Sequence, residues 1–173
     1  DLDRFIIIWA STIPFRFERG IEEERNNHRM YYTTTKDFEV FTETALYLDP
    51  GFSVIDCVIV KREKGDYVLV IKDNTRPNRN LRVAFGKDPL GPWENISEPW
   101  TQQFTEGPTV LRDGEDWLIF FDAYREYRYG AVKTRDFVEF TDISDQVNLP
   151  EGHKHGTIFR ADAKILEGLL KKA

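Results

Sequence analysis

The sequence predicts an all-β fold of the β-propeller type, with about three blades in this chain and a short C-terminal helix. Three observations predict it. A unit of about 50 residues recurs, each unit holds short strand-like runs, and the composition is rich in aromatic residues. Self-similarity at that period marks blades or stacked repeats, and it has to be read before any single element.

The first unit contains FIIIWAS (Phe5–Ser11), HRMYYTTT (residues 28–35) and then KDFEVFTE. The second contains YVLVIKD (residues 67–73), LRVAFG (Leu81–Gly86) and KDPLGPWENIS. The third contains WLIFFDA (residues 117–123), YGAVKT (residues 129–134) and RDFVEFTDIS. Asp37 to Asp88 is 51 residues, Asp88 to Asp136 is 48, and Tyr67 to Trp117 is 50, so the units stay in phase. The runs are dominated by Val, Ile, Tyr and Phe and separated by Gly, Pro, Asp and Asn, which reads as strands joined by turns. Four short strands in a unit of this size is the pattern of a propeller blade. A doubly wound fold would need helical periodicity between the strands, and none is present.

A further strand opens two of the units: VIDCVIV (residues 54–60) before the second and EGPTVL (residues 106–111) before the third. HGTIF (residues 155–159) starts another after the third. The expected layout is one partial propeller domain over 1–173, with blade units of roughly 1–50, 51–100 and 101–150 and a closing strand at 155–160. The first unit lacks its opening strand. Beyond residue 160, Ile165, Leu166, Leu169 and Leu170 fall on one helical face, although Gly168 weakens that helix. A propeller needs about 4–8 blades to close. Three blades leave open sheet edges, through which self-association is expected.

Composition narrows the function. Hydrophobic residues make up 40% and charged residues 31%, a globular balance that argues against disorder. The net charge of −6 comes without a basic run, so no nucleic-acid partner is expected. No apolar run is long enough to span a membrane. Cys57 is the single cysteine, which rules out an internal disulfide and a cysteine metal site. An aromatic share of 14% suits sheets and also suits surfaces that stack on sugar rings.

The repeat also brings a set of reactive side chains to the starts of the opening strands. Asp56 in VID, Glu106 in EGP and His155 in HG are 50 and 49 residues apart. In a propeller the innermost strands line the axis, so all three are expected in one axial pocket. Glycoside hydrolysis needs a proton donor and supporting carboxylates. Asp56 beside Glu106 is expected to raise its pKa and keep it protonated. Each residue also has a plain structural reading: a strand aspartate paired with a nearby arginine, a turn glutamate before Gly-Pro, a structural histidine. Arg125, Arg128 and Tyr124, in the segment DAYREYRYG, are substrate-binding candidates at the channel mouth, against the alternative of a salt-bridged loop. His28 and Arg29 read as a solvated strand edge, and Lys72, Asp73 and Arg76 as residues following a strand. His153 with His155 makes an HxH pair without a third ligand, which is poor evidence for zinc.

At these residues the sequence resembles glycoside hydrolase family 43, five-bladed propeller enzymes acting on xylosides and arabinofuranosides. The resemblance is carried by WASTIPFRF, NHRMYYTTTKDF, DPGFSVIDCVIV, KDNTR, NLRVAFG, GPW, EGPTVL and HKHGTIF. It implies an inverting glycosidase in which Glu106 is the general acid, Asp56 tunes and orients it, and His155 sits at the axis, where many members of that family hold a water-ligated calcium. No other cofactor is implied. The substrate implied is a pentose-containing plant oligosaccharide or polysaccharide, and the implied parent is secreted or periplasmic. The family's base, an aspartate early in its first blade, has no counterpart, because Asp3 lacks its context. On this reading the chain is a fragment lacking about two N-terminal blades. The alternatives are a non-catalytic carbohydrate-binding or scaffolding propeller and a five-bladed enzyme acting on fructosides.

Overall fold

The structure is a computed structural model that describes residues 2–149, 152 and 154–171. Three antiparallel sheets follow one another along the chain. The first holds β1 (Phe5–Ser11), β2 (Arg29–Thr35) and β3 (Ala45–Leu48). The second holds β4 (Val54–Glu63), β5 (Asp66–Asp73) and β6 (Leu81–Gly86), with Glu94 bridging to Phe85 at its outer edge. The third holds β7 (Thr105–Asp113), β8 (Asp116–Ala123), β9 (Arg128–Thr134) and β10 (Thr141–Asp142). This is a partial β-propeller of three blades.

The ladders keep the phase of the repeat. Phe5 pairs with Thr35, Tyr67 with Gly86 and Trp117 with Thr134 at the same place in each sheet. β1 is therefore the counterpart of β5 and β8, and among the described residues the first blade has no strand matching β4 or β7.

Packing between blades supplies the core. Met30, Tyr47 and Leu48 of the first blade meet Leu69, Ile71 and Ala84 of the second. The opposite face of the second blade presents Val60, Val68, Val70, Leu81 and Val83 to Ile119, Phe121, Val132 and Phe137 of the third. β5 lies between two such layers, so both faces of its alternation are buried, as in a strand covered on both sides. Each fully buried Leu, Ile or Val there is worth about 1.5–3 kcal/mol of transfer free energy.

A turn recurs after β2 of the first blade and β9 of the third. Thr35 Oγ1 accepts the Phe38 N–H, and Asp37 Oδ1 accepts those of Glu39 and Val40, each at 2.9 Å. Thr134 and Asp136 repeat this around Phe137, with acceptor distances of 2.8–3.0 Å. Both phenylalanines take φ of 63°. Their fates differ: Phe137 is 1% exposed against the second blade, and Phe38 is 56% exposed.

Two expectations are corrected. Arg29 is not a solvated edge residue but is fully buried. Its guanidinium pairs with Asp49, donates to Asn27 Oδ1 at 2.8 Å and lies 4.8 Å over the Phe17 ring. Burying an arginine requires such pairing, and the carboxylate comes from Asp49, in the loop after β3. The strand expected at 155–160 is not formed. Among the described residues it makes no ladder with β7, and its ties there involve side chains: His155 to Glu106, Ile158 N–H to Thr109 Oγ1, and Arg160 to Asp113 and the Arg112 carbonyl. A blade strand needs the following strand as a ladder partner, and among the described residues the chain runs instead into a helix. That helix, α1 (Ala163–Leu170), is capped by Asp162, whose carboxylate accepts the Ile165 N–H at 2.9 Å. Its apolar face remains exposed, so it does not close on the blades. No helix among the described residues is long and apolar enough to cross a membrane.

Candidate active site

The site is built by two bulges. The β4–β5 ladder shifts register between Ile55 and Val58, leaving Asp56 and Cys57 out of the pairing. The β7–β8 ladder shifts between Glu106 and Thr109, leaving Gly107 and Pro108 out. Such bulges re-aim side chains beside active sites. Asp56 (φ 47°), Gly107 (φ 56°) and His155 (φ 48°) all adopt the left-handed conformation. Among non-glycine residues, Asp and His tolerate it better than most. Register and backbone therefore make Asp56 the counterpart of Gly107, with Glu106 one residue ahead of it.

The offset still brings the predicted trio together. One ligand-type atom from each of Asp56, Glu106 and His155 lies within 4.8 Å of the others. Asp56 Oδ2 accepts the Gly107 N–H at 3.1 Å, tying the two bulges. His155 Nε2 is 3.1 Å from Glu106 Oε1, and Lys72 Nζ donates to Glu106 Oε2 at 2.5 Å. Gly107 is required here. A Cβ would come within 3.0 Å of the His155 ring, and the positive φ disfavours any side chain.

Electrostatics departs from expectation. Burial pushes the Glu106 carboxyl up, but the hydrogen bonds from Lys72 and His155, with their charges, outweigh it and hold it below the ordinary carboxylate range. The expected raising by Asp56 does not govern, because a lysine reaches the carboxylate first. Asp122 moves the other way. It pairs with Glu106 across the β7–β8 ladder and is fully buried, and its Oδ2 has no hydrogen-bond partner. Burial raises its pKa, opposed by the Lys154 charge and reinforced by Glu106. Cys57 beside the site is no nucleophile, since burial and then the Asp56 charge push its thiol up to about 12.

The other predicted residues divide. Tyr124 lies in the site, its ring 5.0 Å from Lys72 Nζ and 6.0 Å from the Phe104 ring. Arg125 stacks 3.5 Å over the Phe104 ring. Arg128, at the start of β9, is exposed and pairs with Glu126 at 2.7 Å. His153 lies outside the described residues. Reading the sequence missed the roles of Lys72 and Asp122, which hold equivalent register positions on β5 and β8 opposite Ile55 and Glu106. The signal for Lys72 was a charge ending the apolar run VLVI of a central strand.

The resemblance implies a water-ligated calcium beside His155, and the three side chains gathered here do not by themselves supply a calcium shell. Calcium takes about 6–8 oxygen ligands. Here one Glu106 oxygen is held by a buried ammonium, one Asp56 oxygen accepts a backbone N–H, and the third donor is an imidazole nitrogen. A separate cavity of about 210 Å³, lined by Trp9, Arg16, Tyr31 and Leu46 among others, lies on the first blade and not at the carboxylates.

Comparison with known proteins gives a family and a fold. Residues 1–165 match the family described as a probable glycosyl hydrolase domain, related to glycoside hydrolase family 43, and the chain belongs to that family. No curated protein matches it. A thermostable family-43 glycoside hydrolase superimposes with a TM-score of 0.66 at 13% identity, over 90% of this chain and 57% of that one. A family 117 glycoside hydrolase from the marine bacterium Zobellia galactanivorans gives 0.62 at 16% identity, over 81% and 51%. A family 32 β-fructofuranosidase of Bombyx mori gives 0.56 at 14% identity, over 83% and 34%. These likenesses show the fold. The chain spans little more than half the length of the first two structures.

Proposed function

We propose that this chain carries the proton-donor side of an inverting glycosidase site, acting on arabinofuranosides or xylosides of plant polysaccharides. The observation that supports it is the convergence of Asp56 and Glu106 from neighbouring blades, with Asp56 anchored to the Gly107 N–H. Glu106 protonates the leaving glycosidic oxygen, and Asp56 fixes the backbone that aims it. The separation argues for these roles. Donor atoms within 4.8 Å are closer than the roughly 6.5–9.5 Å that an acid and base need around an attacking water. The base is therefore a residue outside this pair. The sugar assignment follows the family resemblance.

Both Glu106 oxygens are held by nitrogen groups, and its ionised form is favoured. Protonating the acid requires loosening the Lys72 contact. That feature favours a second reading, a propeller that binds sugar without cleaving it.

The test is pentose release from aryl α-L-arabinofuranoside and aryl β-D-xyloside by this chain and by a full-length parent, each beside Glu106→Gln. Turnover that Glu106→Gln lowers by about 10²–10⁴-fold supports the acid role. Turnover unchanged by the substitution overturns it. Oligosaccharide binding without release in both proteins supports the second reading.

A further inference from the structure

We propose that Lys72 is a tethered cation standing where a metal ion would otherwise bind, so that the Asp56–Glu106–His155 cluster takes no divalent ion in the native chain. The inference rests on the geometry around Lys72, whatever the sugar.

Asp56, Glu106 and His155 alone are a metal-binding set: two carboxylates and an imidazole with donor atoms within 4.8 Å. Two negative charges gathered at that spacing call for a cation. The chain supplies one. The Lys72 side chain is 2% exposed, and its Nζ is 2.5 Å from Glu106 Oε2. Its stem belongs to β5, buried between two blades, so the ammonium is held at the site and away from solvent. On its other side the ammonium faces the Tyr124 ring at 5.0 Å, which gives a second, electron-rich surface to the same charge. A divalent ion on Glu106 would lie close to this fixed positive charge in a partly desolvated place, where repulsion is poorly screened.

The repeat shows what is particular to the middle blade. The position of Lys72 is held by Ala10 in the first blade and by Asp122 in the third. Neither carries a positive charge, and Lys72 reaches across to Glu106 of the next blade. Removing the ammonium would leave two carboxylates and a histidine without a counter-charge, the state in which such a cluster binds calcium or manganese.

The experiment is isothermal titration of the whole chain with calcium chloride and, separately, manganese chloride, after chelator treatment. Lys72→Ala, Lys72→Arg, Glu106→Gln and the double variant Lys72→Ala/Glu106→Gln are titrated alongside. The native chain and Lys72→Arg are expected to give no stoichiometric binding. Lys72→Ala is expected to gain one site with a Kd of about 10⁻³ M or tighter, and the double variant to lose it. Lys72→Met serves if Lys72→Ala does not fold, with circular dichroism as the check. One-to-one binding by the native chain that Glu106→Gln removes overturns the proposal. A folded Lys72→Ala or Lys72→Met that binds neither ion overturns it equally. The native arm alone can refute it, whatever the variants do.

Discussion

Lys72 and Glu106 sit on neighbouring blades, and their side chains meet at 2.5 Å with the lysine buried and the glutamate about one-fifth exposed. The asymmetry gives a prediction. Glu106→Gln leaves a buried ammonium facing an amide and is expected to cost about 3 kcal/mol, in the range for breaking a buried pair. Lys72→Met removes the buried charge itself and leaves a carboxylate that water and His155 can satisfy, so it should cost about 1 kcal/mol. Urea unfolding of the two variants compares them. A larger loss for Lys72→Met would mean that the pair is not what holds the blades together here.

The acid limb of stability follows from the same pair. The folded Glu106 carboxyl titrates below its ordinary 4.5, so its contribution is complete above that pH and is lost as pH falls through the lowered value. Asp122 is raised above 3.8 by burial, so it acts with the opposite sign and costs stability as pH rises through its folded value. Melting temperature measured against pH should therefore fall less steeply below pH 4.5 in Glu106→Gln than in the native chain. Asp122→Asn should be neutral or stabilising at pH 7. A destabilising Asp122→Asn would indicate a hydrogen bond that its buried Oδ2 does not make here.

Gly107→Ala tests the bulge. The added Cβ meets the His155 ring at 3.0 Å at a φ of 56°, so strain and a clash coincide. The expected cost is about 1–3 kcal/mol, with His155 displaced from Glu106. The imidazole signals in a proton–nitrogen spectrum should shift. Unmoved signals together with unchanged stability would show that the His155 contact is loose.

Phe38 and Phe137 occupy the same place in the repeated turn but face different neighbours. Phe137→Ala is expected to cost about 3–5 kcal/mol, the usual loss for a buried phenylalanine. Phe38→Ala should cost less than about 1 kcal/mol. Equal losses in thermal unfolding would mean that the first blade has a partner covering Phe38.

Much of the fold was legible because the repeat survives in the very residues that build the ladders. FIIIWAS gives β1 to the residue, LRVAFG gives β6, and the in-phase aspartates mark two of the turns by accepting backbone N–H groups. The strand expected at 155–160 failed because its pattern, HGTIF, says nothing about whether a ladder partner follows. The site was half legible. Asp56, Glu106 and His155 announced themselves by spacing, yet their spacing concealed the one-residue offset, which depends on where two bulges fall. Lys72 was passed over since a charge at the end of a strand usually reaches water, and only the neighbouring blade turns it inward. The burial of Arg29 was hidden for a similar reason, its ion-pair partner Asp49 lying in a loop that no local pattern connects to it.

The one-residue offset of the two acids relative to their bulges has one more consequence. Blades repeated in strict phase would present the same atoms at the same radius and height, related by rotation about the axis. Two acids so placed would be near copies, each with the same surroundings and neither favoured to hold a proton. Placing one carboxylate on the bulge residue of β4 and the other just before the bulge of β7 breaks that rotational equivalence. Asp56 is left to grip a backbone amide, while Glu106 is turned towards a lysine and a histidine. A duplicated module thereby yields two unlike acids without a new loop or an inserted residue.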